Sequence, residues 1–482
     1  MKRVEVKVIN KSSNGNIDSL IGEAKTLLTN GSKNNEVCNN QEFRIKRINI
    51  TINMDSIYQK HINNKPLTKE ELIYLYDLCN DLSEEEKSKG RSTILSKRNK
   101  KADLAIIFDC TVDQIFASQV YLKNSDENRQ KCVVLLDDLT LNWGISDETN
   151  YGNLKYVSGD LRYGGQPGYG EKVYNVLNSL EIIGGNAYFS TAKSINSLTN
   201  LRYIGRDAYF CDLQNATCLI SLRKIGHDAN FDKLKLSTGL DNLEMIGGDA
   251  VFSSLTSAKN LTKLERVEEE LYMPSLKESH GLEKLSFIGR YAEFENLIDA
   301  SGLCRLEEIH EEAYFNKLVS SKGLGKLKYI GRKAYFNSLK DASHLSSLER
   351  IDGPAHFDSL VSSKGLDNLN HIGSADFSSL IDASYLNNLE YIGGIADFSS
   401  LTSSKGLEKL KIIGFDAKFP NLIDASSLYN LERIDGNCYF DKLTDYSDFI
   451  SLKQVGKRVI KSWDERYKPT EQTKTLIKKL NI

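Results

Sequence analysis

Apolar and polar positions along most of this chain follow a fixed cycle. The isoleucine of an I-G-x-x-A-x-F pattern returns every 21 residues, at Ile183, Ile204, Ile225, Ile246, Val267, Ile288, Ile309, Ile330, Ile351 and Ile372. One residue then drops out within Ile372-Gly373-Ser374-Ala375-Asp376-Phe377, and the series resumes at Ile392, Ile413, Ile434 and Val455. With this marker at position 0, a small apolar residue stands at +4, an aromatic at +6, and leucine at +9, +15 and +18. Ile288, Ala292, Phe294, Leu297, Leu303 and Leu306 show the whole pattern. The A-x-F stretch alternates in and out, which is strand periodicity, whereas L-x-x-L-x-x-I steps by three and suits turns or a 3₁₀ arc. A strict period over this many copies predicts a solenoid whose coils each add one short strand to a long parallel sheet. A single coil is too small to hold itself together, so stability comes from stacking and the ends need caps. Glycine follows the marker in most coils, for example Gly205, Gly247 and Gly331, and predicts an unusual backbone conformation at that turn.

A second period overlies the first from about residue 297. Coils reading D-A-S (Asp299-Ala300-Ser301, Asp341-Ala342-Ser343) alternate with coils reading S-S-K (Ser320-Ser321-Lys322, Ser362-Ser363-Lys364). Asp at +11 of one coil is expected near Lys at +13 of the next, as a ladder of exposed ion pairs that sets coil register.

These residues resemble leucine-rich repeats of the bacterial kind, and the LxxLxxIGG portion is similar to the L domains of growth-factor receptors. The likeness covers roughly residues 150–460. The asparagine that ladders through leucine-rich repeats is absent, with leucine at +9 near its place, and the unit is short. Turns or short strands, rather than helices, are therefore expected on the convex side. The fold expected is a mainly parallel β-solenoid, leucine-rich-repeat-like with 21-residue coils, preceded by an N-terminal α+β domain. The expected divisions are 1–135 for that domain, 136–460 for the solenoid and 461–482 for a C-terminal helical cap starting near Pro469.

The resemblance implies that contacts fall on the outward side chains of the inner sheet, here the +5 column between Ala and Phe. Six of its thirteen members are tyrosine. Tyr188, Tyr209, Tyr272, Glu293, Tyr314, Tyr335, His356 and Tyr439 are the candidate partner-binding residues, because tyrosine offers area and a hydrogen bond at low entropic cost. Tyrosine also favours strands and packs on its cross-coil neighbour, which explains the column equally well. The +3 column is acidic early (Asp207, Asp228, Asp249, Glu270, Glu312), which points to a partner with a basic segment.

The N-terminal region does not repeat. Lys2–Asn10 and Phe43–Met54 alternate like strands, Asp18–Leu28 reads as a helix, and Thr68-Lys69-Glu70-Glu71 is a capping box before the amphipathic run Leu72–Leu82. Lys97, Arg98, Lys100 and Lys101 precede Ala102–Ile115, whose spacing fits a helix-turn-helix and would make the chain a nucleic-acid-binding regulator. Leu104–Phe108 reads equally as a buried strand, mirrored by Val133–Leu136.

Net charge is −2 from 63 basic and 65 acidic residues, so no global bias points to nucleic acid or a membrane surface. No apolar run has the length of a signal peptide core or a transmembrane helix. The eight cysteines are scattered without a CxxC, which suits a reduced, cytoplasmic protein, and Cys438 stands where most coils carry alanine, as a small buried hydrophobe. The catalytic signatures GxxxxGK[ST], GxSxG and HExxH are absent, and Gly164, Gly165, Gly168 and Gly170 lack a strand-loop-helix context. The reading is a non-enzymatic protein-interaction module without cofactor or metal. A nucleic-acid regulator and an enzyme or toxin activity housed in the N-terminal domain are the alternatives.

Overall fold

The structure is a computed structural model that describes residues 52–78, 87–88, 90–123, 125–141, 151–163, 172–173, 176–456 and 459–460. The elements expected at Lys2–Asn10, Asp18–Leu28 and Pro469–Leu480, the glycine cluster at 164–170, and most of Phe43–Met54 lie outside those residues.

The chain forms a parallel β-solenoid of about 15 turns behind a helical N-terminal part. Each regular coil holds two short strands, not the one expected. Tyr329–Ile330 and Ala334–Tyr335 are typical, separated by a tight turn at +1 to +3. The strands pair in register with the equivalent residues one coil away: Tyr203 with Lys224, Ile204 with Ile225, Ala208 with Ala229. A third, single bridge joins the coils at +11, as between Ser320 and Asp341. The leucine arc is a chain of turns. Leu324 N–H donates to the Ser321 carbonyl at 2.9 Å and Leu327 N–H to the Leu324 carbonyl at 3.1 Å, so residues three apart fall on the same inward side. Marker, +4, +6, +9, +15 and +18 side chains are buried in the coils from Ile183 to Ile434, and the last marker, Val455, is partly buried. The +6 rings stack through the interior with centroids about one strand spacing apart, as for Phe315 over Phe336 at 5.3 Å and Phe336 over Phe357 at 5.3 Å. Cys438 is buried in the alanine column, and burial pushes its thiol up to about 12.

Two expectations about the repeat are corrected. The glycine after the marker has an ordinary backbone. It is needed for close approach: a Cβ on Gly331 would sit 1.9 Å from the His310 carbonyl of the preceding coil. The left-handed glycines are instead those at +14, such as Gly323 at φ +98°, whose Cβ would meet the Ala300 carbonyl at 1.9 Å. Nor do Asp at +11 and Lys at +13 form the ladder of ion pairs. Asp341 accepts from Ser320 Oγ at 3.3 Å and from its own Ser343 N–H at 3.0 Å, and Asp424 does the same with Ser403 at 2.8 Å and Ser426 at 3.0 Å. The short carboxylate reaches these nearer donors first. The two-coil period has a further internal cause. Serine at +12 of every second coil (Ser237, Ser279, Ser321, Ser363, Ser404) is buried, and Ser321 Oγ accepts the His344 N–H of the next coil at 3.0 Å. The intervening coils carry alanine there.

The missing residue after Ile372 is absorbed locally. Arg350–His356 and His371–Asp376 each run as one continuous strand, with the register shifting by a residue between Ile351 and Pro354. The ring stack continues across it, with Phe357 and Phe377 at 5.2 Å.

The N-terminal part comprises α1 (Met54–Ile62), α2 (Lys69–Tyr76), α3 (Arg91–Ser96) and α4 (Lys100–Phe108). Thr68 and Glu71 form the expected capping box. Leu72, Leu104, Ile107 and Phe108 pack against Val134, Tyr156 and Ile182 of the first coils, with Phe108 stacked on Tyr156 at 5.2 Å. The parallel column begins at Ile115–Phe116, which pairs with Val134–Leu135.

The helix-turn-helix is not formed. After α4 the chain turns at Asp109 (φ +52°), makes a three-residue 3₁₀ turn at Val112–Gln114 and enters a strand, so the motif's span holds no second helix to enter a groove. Ile115 fits the motif's spacing because it is buried in the cluster between the helices and the first coils.

Candidate functional site

The outward +5 column lies between the buried Ala and Phe columns, and its members alternate from aromatic to polar along the solenoid. Four stretches differ. At the N-terminal end Tyr188 stacks on Tyr209 at 5.1 Å, and the Arg162 guanidinium lies 4.3 Å from the Tyr188 ring. In the middle, Tyr272 stands exposed beside Val251 and Glu293, its register partners. Next, Tyr314, Tyr335 and His356 form a continuous stack with centroids 4.9 and 5.0 Å apart. Beyond it the column turns charged: Asp376 and Asp397, then Lys418, whose Nζ donates to Asp397 at 3.1 Å, and then Tyr439 in register. Thus the predicted partner residues share one face, and the structure joins five of them into two ring stacks. Tyr272, Glu293 and Tyr439 stand outside those stacks.

Charge is concentrated around the middle stretch. Burial raises the Glu293 carboxyl, and the neighbouring Glu295, Glu270 and Glu312 raise it further. Glu270 is also raised, by burial first and Asp249 second. Glu312 is buried, accepts from the Tyr314 hydroxyl and pairs with Lys333 at 3.3 Å. The Tyr314 phenol is held well above its ordinary range by burial and by that carboxylate.

The acids of the +3 column have a different employment from the one their sequence suggests. The three aspartates each accept the backbone N–H of the equivalent residue one coil on: Asp207 from Asp228 at 3.3 Å, Asp228 from Asp249 at 2.9 Å, Asp249 from Glu270 at 3.0 Å. The series starts earlier, through Asp138, Asp160 and Asn186. It satisfies the turn N–H groups that the strands leave out, so these acids are first a structural ladder. Asn186 within it was the available signal, since an amide and a carboxylate share only the accepting oxygen.

Of the basic residues proposed to meet phosphates, Arg98 is committed. Its Nε and Nη2 donate to both oxygens of buried Asp103 at 2.6 and 2.5 Å, and Tyr76 adds a third bond to that carboxylate at 2.8 Å. Lys101 Nζ reaches the Ile115 carbonyl at 3.4 Å. Lys97 caps α3 and is exposed, as is Lys100 at the start of α4.

Sequence reading passed over a second outward column, at −1. Arg266 lies over the Phe287 ring at 3.5 Å, Tyr329 donates to Asp352 at 2.7 Å, and His371 stacks on Tyr391 at 4.7 Å. Burial lowers the His371 imidazole, and Arg350 lowers it further. A groove of about 590 Å³ opens here between Arg350, Asn370, His371, Glu390 and Tyr391. At the N-terminal end this face is covered, because Ile182 and Tyr156 are buried against the helices.

Among the described residues no helix is long and apolar enough to cross a membrane. No known family model and no curated protein matches the chain. The likeness to leucine-rich repeats therefore rests on the repeat itself, which the structure resolves as a parallel β-solenoid with coils of about 21 residues.

Proposed function

We propose that this chain is a non-enzymatic interaction protein that binds a protein partner on the +5 face, with the centre of contact at Tyr272, Glu293, Tyr314 and Tyr335. Stacked solenoids serve as extended binding surfaces in many proteins. The observation that carries the reading is the juxtaposition of exposed Tyr272 and the Tyr314–Tyr335–His356 stack with a group of carboxylates. Rings held by their neighbours lose little freedom on binding, which favours them as anchors. Glu293 is raised first by burial and then by repulsion from its acidic neighbours, and a cationic side chain would relieve that repulsion, so the partner is expected to present a basic segment. A reducing cytoplasm suits free thiols such as Cys211 and Cys304 and completes the reading.

The test is comparative affinity capture with wild type, Tyr272→Ala/Tyr314→Ala/Tyr335→Ala and Glu293→Lys. The expected result is a partner retained by wild type and released by both variants, with unchanged far-ultraviolet circular dichroism and with capture weakening as salt rises. A partner held equally by all three proteins contradicts the proposal.

A further inference from the structure

Where the +5 column leaves its aromatic stretch, three metal-ligating side chains converge. His356 Nδ1 stands 3.9 Å from Asp358 Oδ1 and 4.0 Å from Asp376 Oδ2, and the three donor atoms all lie within 4.8 Å of one another. The backbone sets this up. His356 and Asp376 are register partners on the continuous strands of two successive coils, the second of which is the shortened one. Asp358, two residues beyond His356, follows the buried Phe357 and so emerges on the same side.

Each group is held in a way that leaves a ligand atom for the shared space. The His356 ring lies flat on Tyr335, with 3° between planes, which fixes the imidazole plane. Asp376 uses Oδ1 to accept the Ser378 N–H at 3.2 Å, and the other oxygen, Oδ2, is the one directed at His356. Asp358 as a whole is partly exposed, but its Oδ1 is closed to solvent and has no donor. Asn337 Oδ1, at the equivalent position of the preceding coil, is in the same state. Buried oxygens without a donor are rare in folded proteins, and a bound cation is one of the explanations for them.

We infer that His356, Asp358 and Asp376 form a binding site for a zinc-class divalent cation, with water completing the coordination. One imidazole nitrogen and two carboxylate oxygens suit a borderline first-row metal. Calcium would require six to eight oxygen ligands. At zinc bond lengths of about 2.0–2.2 Å, tetrahedral donors lie about 3.4 Å apart, so side-chain rotation closes the present separations. The ion ties the coil that starts at Ile351 to the shortened coil that starts at Ile372, at the place where the turn has lost a residue. The site shares His356, and the Tyr335 ring it lies on, with the partner-binding face, but metal binding by the chain alone needs no partner and so tests it separately.

The test uses the full chain without a histidine tag, stripped with chelator and titrated with Zn²⁺ by calorimetry, followed by Co²⁺ substitution read by visible absorption. The expected result is one specific Zn²⁺ per chain and a Co²⁺ band of low-coordinate type. His356→Ala and Asp376→Asn are each expected to weaken zinc roughly 100-fold, since loss of even an outer-shell partner costs about 10–100-fold. His310→Ala, in the turn after Ile309 two coils earlier, should leave affinity unchanged. Asp376→Asn keeps the imidazole and nearly the same shape. Should His356→Ala misfold, the comparison therefore rests on whether Zn²⁺ raises the melting temperature of wild type and not of Asp376→Asn. Zinc bound equally by wild type and Asp376→Asn, or by neither, overturns the inference.

Discussion

The +6 and +5 columns are neighbours in sequence and opposites in behaviour. At +6 the same ring recurs from Phe189 to Phe440, with Met273 as the exception, and every member is buried. At +5 the residue changes from tyrosine to asparagine, valine, glutamate, histidine, aspartate and lysine, and most members are half-exposed. One backbone and one register serve both. Interior uniformity follows from stacking, because each coil must fit the one before it. The outer face is under no such rule, and that is where one coil can differ from the next in what it recognises.

Substitutions test this division, and the largest effect is expected inside. Phe315→Ala removes a ring stacked between Phe294 and Phe336 and should cost about 3–5 kcal/mol in chemical denaturation. A cost under about 1 kcal/mol would mean that the column can collapse. Next is Gly323→Ala, which meets both a left-handed φ and the Ala300 carbonyl, and should cost at least the roughly 1–3 kcal/mol of backbone strain. Gly325→Ala, where an added Cβ meets only the His344 carbonyl at an ordinary 3.6 Å, is the matched control and should stay within about 0.5 kcal/mol. Tyr335→Ala on the outer face should lose only the roughly 0.5–1.5 kcal/mol of ring stacking, yet weaken partner capture.

The smallest effects are in pH, and their signs differ between the turns and the face. Asp341 and Asp424 are held below the usual carboxylate range, chiefly by the N–H groups of Ser343 and Ser426. Their folded pKa lies below the unfolded one. The stability they contribute is therefore present above about pH 4 and lost as pH falls through the folded value. Asp424→Asn should flatten that acid limb. Glu293 has the opposite sign, raised by burial and then by its acidic neighbours. Its contribution is largest while it is protonated and is lost as pH rises through the raised value, so Glu293→Gln should stabilise the chain at neutral pH. A melt series in which the two variants move together would break this distinction.

The architecture was legible because inward positions cannot vary. Ile, Ala, Phe and three leucines at fixed offsets name the strand, the turns and the core together. The strand at −1 and 0 escaped notice because its outward member runs Tyr203, Lys224, Met245, Arg266, and no alternation survives that variety. The +3 ladder was hidden for a similar reason: Asp160, Asn186 and Asp207 differ in charge and agree only in the oxygen that accepts. The helix-turn-helix was misread because spacing alone cannot tell a recognition helix from a helix followed by a core strand. His356, Asp358 and Asp376 were invisible as a group, since only coil register brings residue 376 beside residue 356.

The most direct measurement is a matched pair of outer-face variants in the capture experiment. Tyr272→Ala/Tyr314→Ala/Tyr335→Ala strips the +5 face, and Tyr329→Ala/Tyr391→Ala strips tyrosines from the −1 face, Tyr329 in the coil of Tyr335 and Tyr391 further along. The first variant is expected to lose the partner and the second to keep it, with both proteins retaining the wild-type circular dichroism. A partner lost only from the second would put recognition on the −1 face and contradict the assignment made here.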